Sequence, residues 1–174
     1  MSSFVALVGN PRVGSRTLAA AVAAAEAVAR RAGHDTAPEV VDLSALGQRL
    51  LDPGPSPAVR AALETVAAAD VLVVASPTYK ATYTGLLKVF LDRLPPGALT
   101  GTVALPLLLM GDPRHALAVE LHLRPVLAEL GAQVPTPGLA LLESQFGELD
   151  AVLGTWAGQV APQLGAAPAR EVAR

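Results

Sequence analysis

The run Val71-Leu72-Val73-Val74-Ala75 is apolar at every position and rich in valine. A strand with no polar face has to be covered on both sides, as a buried parallel strand is and a half-exposed antiparallel strand is not. The rest of the chain repeats the theme. Further strands are expected at Phe4–Val8, Glu39–Leu43, Thr102–Leu109 and Val134–Leu142. They alternate with helical patterns at Thr17–Arg31, Pro57–Ala69, Thr84–Leu94, His115–Leu130 and Phe146–Leu164. This alternation predicts an α/β fold, a doubly wound five-stranded parallel sheet with helices on both faces. Pro106 falls inside the fourth strand and cannot donate to a ladder, which predicts a bulge or an unpaired residue there. Pro125 predicts a break in the fourth helix, and Pro135 and Pro137 an irregular start to the fifth strand. Ligands of such sheets bind beyond the carboxyl ends of the strands, at the point where strand order reverses. The loops after Val8, Ala75 and Leu109 are therefore the expected site.

A chain of 174 residues suits one domain, expected over residues 1–165, with 166–174 a frayed, Ala-rich tail. A formal net charge of -2 leaves no basic excess with which to neutralise a nucleic-acid backbone. With no cysteine, disulfides, thiolate metal sites and cysteine nucleophiles are excluded, and a reducing compartment is accommodated. The apolar start Phe4–Val8 is too short for a secretion signal and has no basic flank. No run approaches the ~20 apolar residues that span a bilayer. A soluble, cytoplasmic protein is expected, with neither nucleic acid nor membrane as partner. His34, His115 and His122 show no metal-ligand spacing.

Three segments carry candidate chemistry. Gly9-Asn10-Pro11-Arg12-Val13-Gly14-Ser15-Arg16-Thr17 joins the first strand to the first helix. Main-chain N–H groups at a helix start favour an anion, glycines let it approach, and Arg16 adds a forked charged donor. The loop is neither GxGxxG nor GxxxxGK[ST], since Ser15 stands where the lysine would be, and a phosphate monoester fits it better than a triphosphate. A plain capped helix start, with Ser15 or Thr17 as cap and Arg16 solvated, is the competing reading. The second segment, Ser76 to Gly85, holds both tyrosines in a chain that is only 3% aromatic. It suits a planar, hydrogen-bonding ligand; equally, Tyr79 and Tyr83 would cap the sheet edge or fill a subunit contact. In the third, Met110-Gly111-Asp112-Pro113, Gly111 lets a flat ring pass, or Asp112 caps the next turn with Pro113 behind it.

Gly9-Asn10-Pro11-Arg12-x-x-Ser15-Arg16-Thr17 resembles the GSPR-x-x-S-R-[ST] loop of NADPH-dependent FMN reductases. Ser76-Pro77-Thr78-Tyr79-Lys80-Ala81-x-Tyr83-Thr84-Gly85-Leu86-Leu87-Lys88-x-Phe90-Leu91-Asp92 is similar to their SPTYKASY-SG-LK-x-x-LD segment. Together with Ala118-Val119-Glu120-x-x-Leu123-Arg124-Pro125-Val126-Leu127, these runs resemble the alkanesulfonate-type members, which supply reduced flavin to a monooxygenase. The resemblance covers roughly residues 4 to 142. It implies a flavodoxin-like fold and hydride transfer from NADPH, with NADH the alternative donor, to FMN. It implies that Arg12, Ser15, Arg16 and Thr17 hold the phosphate, with Asn10 standing in for the usual serine as a donor. Pro77, Thr78, Tyr79 and Lys80 would line the isoalloxazine and ribityl chain, and Gly111 would lie against the ring. Asp112 replaces a neutral residue there and brings a negative charge toward the flavin. The partners implied are flavin and nicotinamide nucleotides, a second copy of the chain in a homodimer or homotetramer, and a flavin-dependent monooxygenase. Leu86, Leu87, Phe90, Leu117 and Leu121 are candidate interface residues, or they face the sheet. In flavin-donating members the helix after the third segment carries an inserted residue, which predicts a π-turn between Val119 and Leu127. Three other readings stand beside this one: an FMN-bound quinone or azo reductase, a non-enzymatic FMN-binding electron-transfer or redox module, and, prompted by Met110 and Asp112, a chain that has lost its flavin.

Overall fold

The computed structural model describes residues 3–35 and 37–164. The tail expected at 166–174 lies outside the described residues. Five strands, β1 (Phe4–Val8), β2 (Glu39–Asp42), β3 (Val71–Pro77), β4 (Val103–Met110) and β5 (Leu139–Leu142), form one sheet in the order β2-β1-β3-β4-β5. Every pairing is parallel. This is the flavodoxin-like order, with its reversal between β1 and β3.

Alternate residues of each strand face opposite layers. Val5, Leu7, Leu72, Val74, Ala104 and Leu108 face the layer of α2 (Pro57–Ala68), α3 (Gly85–Leu91) and α4 (Arg124–Glu129). Phe4, Ala6, Val8, Val73, Ala75, Leu105 and Leu107 face α1 (Arg16–Arg31) and α5 (Leu149–Leu164). The buried face of α1 is largely alanine, and Trp156 of α5 fills the same layer. On its own, α3 is too short to persist in water. Its buried Leu87, Phe90 and Leu91 hold it, each contributing about 1.5–3 kcal/mol by burial.

The structure corrects several element ends. The second strand stops at Asp42 rather than Leu43, because the Asp42 carboxylate accepts from the Ser44 N–H at 3.0 Å and turns the chain. The third continues through Ser76 and Pro77, which still pair with Leu108 and Leu109. The third helix ends at Leu91 rather than Leu94, the chain tightening through a Leu94 N–H to Leu91 bond. The last helix begins at Leu149 rather than Phe146, after a 3₁₀ turn over Glu143–Glu148.

Pro106 makes no bulge, and the β3–β4 register runs unbroken through Val74 and Pro106. The reason is direction. The Val103 N–H donates to Asp70 on the β3 side and the Ala104 N–H to Gln133 on the other. Pro106, two residues past Ala104, turns its nitrogen away from β3. It faces 134–138, before β5 begins pairing at Leu107–Leu139. The ladder with β3 loses nothing. The fifth strand pairs only from Leu139, after an isolated bridge between Val103 and Gln133.

No break falls at Pro125, which lies within α4; the irregularity is a π-turn over Val119–Leu123 just before it, where the Arg124 N–H reaches Val119, five residues back. Arg124 donates to the Val134 and Thr136 carbonyls, both at 2.5 Å, and its Nε pairs with Glu120. The other Glu120 oxygen accepts from the Gly138 N–H at 2.5 Å. This network straps the proline-rich approach to β5 onto the π-turn. Among the described residues no helix is long and apolar enough to cross a membrane.

Candidate flavin site at the carboxyl edge of the sheet

The loop after β1 is held from several directions. The Gly9 N–H donates to Ala75 of β3 at 2.8 Å, and its carbonyl accepts from the Thr84 hydroxyl at 2.5 Å. The same hydroxyl accepts from the Leu87 N–H and caps α3. A Cβ on Gly9 would stand 2.6 Å from the Leu87 Cβ. Gly9→Ala is therefore expected to cost about 1–3 kcal/mol, because α3 must back away. A denaturant titration checks it; an unchanged midpoint would show that α3 is not seated on the loop.

Asn10 is buried. Its Oδ1 accepts from the Arg12 N–H at 2.9 Å, and its Nδ2 donates to the Thr17 hydroxyl at 2.9 Å. Asn10 and Thr17 thus shape the loop from beneath, and their side chains point at each other. Ser15 caps α1 by accepting from the Leu18 N–H at 3.1 Å. Gly14 sits at φ +64°, a conformation that favours glycine, and a Cβ there would meet nothing within 4 Å. The main-chain N–H groups of Val13, Gly14, Ser15, Arg16 and Thr17 donate to no group among the described residues. No acidic residue lies in the first turn of α1 to offset its positive end. Unpartnered N–H groups at a helix start have the chemistry that suits an anion.

The second loop adjoins the first. Ser76 accepts from the Thr84 N–H at 3.0 Å, and the Thr78 N–H donates to Leu109 of β4 at 2.8 Å. Tyr79 and Thr82 exchange main-chain bonds around Lys80 and Ala81, at φ 53° and 67°. This is a type I′ turn made without glycine or asparagine. Each left-handed residue costs about 1–2 kcal/mol, strain of the kind that gathers at ligand sites. The Thr78 hydroxyl is buried and has no partner among the described residues. The tyrosines part company: Tyr79 is 41% exposed on the turn, whereas Tyr83 packs against the core layer of α3.

Beyond β4, a Cβ on Gly111 would meet nothing within 4 Å, so the space above it is open. Asp112 caps the 3₁₀ turn Pro113–His115 through the Arg114 N–H at 2.9 Å and takes the Arg114 fork at 2.8–3.1 Å. The Arg114 guanidinium, then its N–H, pull the Asp112 carboxyl down to about 2. Asp112 is therefore charged, and its charge is matched by the Arg114 guanidinium beside it.

Arg12 and Lys80 are exposed at the mouth. Arg16 is turned toward the end of β5, with Nη1 3.3 Å from Glu143 Oε2 and the guanidinium carbon 5.9 Å from the Phe146 ring centroid. The structure thus gathers Arg12, Ser15, Arg16, Thr78, Tyr79, Lys80 and Gly111 at one sheet edge, and places Asn10 and Thr17 beneath it. Sequence reasoning missed Thr84, Glu143 and Phe146. Thr84 carried a legible signal, a threonine just before a helical run; Glu143 and Phe146 carried none, being 127 or more residues from their partner.

The family described as NADPH-dependent FMN reductase matches residues 2–147. An FMN reductase (NADPH) of Escherichia coli (strain K12) is 48% identical over 90 residues, 52% of this chain and 47% of that one. An NADH-dependent FMN reductase SfnE of Pseudomonas putida is 35% identical over 133 residues, 74% of this chain and 70% of that one. The chain spans about half the length of the first curated relatives it matches. Among solved structures, the apo form of an NADH:FMN oxidoreductase (EMOB) superposes with a TM-score of 0.85 at 33% identity, covering 98% of this chain and 92% of that one.

Proposed function

Because this chain belongs to the NADPH-dependent FMN reductase family, we propose that it reduces FMN at the expense of NADPH or NADH and releases the reduced flavin to a monooxygenase. The observation that carries this reading is the row of five N–H groups from Val13 to Thr17 with no acceptor among the described residues, set at the strand-order reversal beside the buried Thr78 hydroxyl. The residues present fit FMN: the nest takes a phosphate monoester, and the open face of Gly111 takes a flat ring.

Bound FMN supplies the hydride-accepting ring, so the protein needs to orient two ring systems rather than provide a nucleophile. The Val13–Thr17 amides fix the phosphate end. The Tyr79–Thr82 turn and Thr78 would line the ring edge. Exposed Arg12 and Lys80 stand where a nucleotide phosphate approaches. The Arg114 fork on Asp112 keeps that corner from repelling an electron-rich ring. The loops lie open at the sheet edge, which suits a flavin that arrives and leaves. Leu117 and Leu121, 68% and 64% exposed and one turn apart, support self-association as a homodimer or homotetramer, whereas Leu87 and Phe90 are spent in the core. A cytoplasmic setting follows from the need for reduced nicotinamide.

The test is to follow nicotinamide oxidation by the purified chain with FMN, FAD or riboflavin. Turnover with a strong preference for FMN over riboflavin is expected. No oxidation with any flavin would overturn the reading.

A further inference from the structure

We propose that Glu143 sets how loosely the chain holds FMN, by competing with the flavin phosphate for Arg16; this rests on the assignment of the Val13–Thr17 nest to that phosphate. Arg16 is the first residue of α1, so its side chain starts at the rim of the nest. It is nevertheless occupied by a carboxylate delivered from the far end of the chain by β5, with the Phe146 ring beside it. A second anion within reach of the guanidinium would be a poor design for tight phosphate capture. It is a good design for capture that must be reversed. Both side chains are more than half exposed, 64% and 52%, so the pair opens readily. A phosphate bearing about -1.5 to -2 charges wins Arg16 from one carboxylate, but only against that opposition. Riboflavin, without phosphate, never enters the contest. Glu143 is therefore a positioning residue that acts through Arg16.

Titration of the apoprotein with FMN or riboflavin, read by flavin fluorescence, separates the possibilities. Glu143→Gln keeps the shape and removes the charge. It is expected to tighten FMN binding about two- to fivefold, the range open to an exposed ion pair, and to leave riboflavin unchanged. Arg16→Ala is expected to weaken FMN binding about tenfold, and in that background Glu143→Gln should do nothing. Glu143→Ala should repeat the Gln result. Unchanged or weaker FMN binding in Glu143→Gln overturns the proposal. So does tightening that extends to riboflavin or survives Arg16→Ala. Wild-type protein that binds FMN no better than riboflavin overturns the phosphate assignment and the proposal together; a wild-type preference with a silent Glu143→Gln overturns the proposal alone.

Discussion

Ser15→Asp is expected to weaken FMN binding by about two orders of magnitude while the fold stands. Ser15 holds α1 by accepting from the Leu18 N–H. Aspartate caps a helix as well as serine does, and its charge is welcome at a helix start. Stability should therefore be unchanged or slightly raised. The same charge sits inside the Val13–Thr17 nest, in the place assigned to phosphate. At about 5 Å and an effective dielectric of about 20, one pair of like charges costs about 3 kcal/mol, roughly 150-fold in affinity. Riboflavin should bind as it does to wild type. Ser15→Asn, capped but uncharged, should keep FMN affinity. Wild-type FMN binding by Ser15→Asp would remove the phosphate from this loop.

Arg124→Ala should be the most damaging substitution away from the core. It deprives three acceptors at once: the Glu120 carboxylate and the Val134 and Thr136 carbonyls. These groups are partly buried; Glu120 would keep only the Gly138 N–H, and no other donor among the described residues serves the two carbonyls. Hydrogen bonds to charged groups are worth about 1.5–3 kcal/mol, and an abandoned carboxylate adds its own cost. Water repays part of this, leaving about 3 kcal/mol. For a chain of this size that lowers Tm by about 6–12 °C. The pH dependence gives a second reading. The hydrogen bond from Arg124, and then that from the Gly138 N–H, hold the Glu120 carboxyl below its ordinary 4.5. A depressed folded-state value means that this stability is present above pH 4.5 and is lost as pH falls through the folded value. Wild type should lose stability over that acid range, and Arg124→Ala should lose less. Equal acid limbs would show that the pair does not form.

By itself the sequence determined the layered fold and the edge at which the candidate site lies. Val71–Ala75, apolar throughout, had to be a covered central strand, and the alternation of short apolar runs with helical ones left few topologies. The loop after Val8 and the caps at Ser15 and Asp112 were legible because their signals are local: a glycine, a hydroxyl or a carboxylate within three residues of the group it serves. Only the tertiary structure decided the rest. Whether Pro106 breaks a ladder depends on which neighbour its nitrogen faces and on where β5 begins. Whether Asn10 and Thr17 meet a ligand or each other depends on the loop closing over β3. Tyr79 and Tyr83, four apart in the chain, were separated by a turn that forces Lys80 and Ala81 into left-handed backbone. Arg16 met Glu143, and Arg124 met the carbonyls before Pro135 and Pro137, only because the sheet order brought distant segments together. Periodicity and caps act over a few residues and can be read along the chain. Hydrogen-bond partners and opposing charges are chosen by which strand edges adjoin, and that is settled only when the whole sheet has formed.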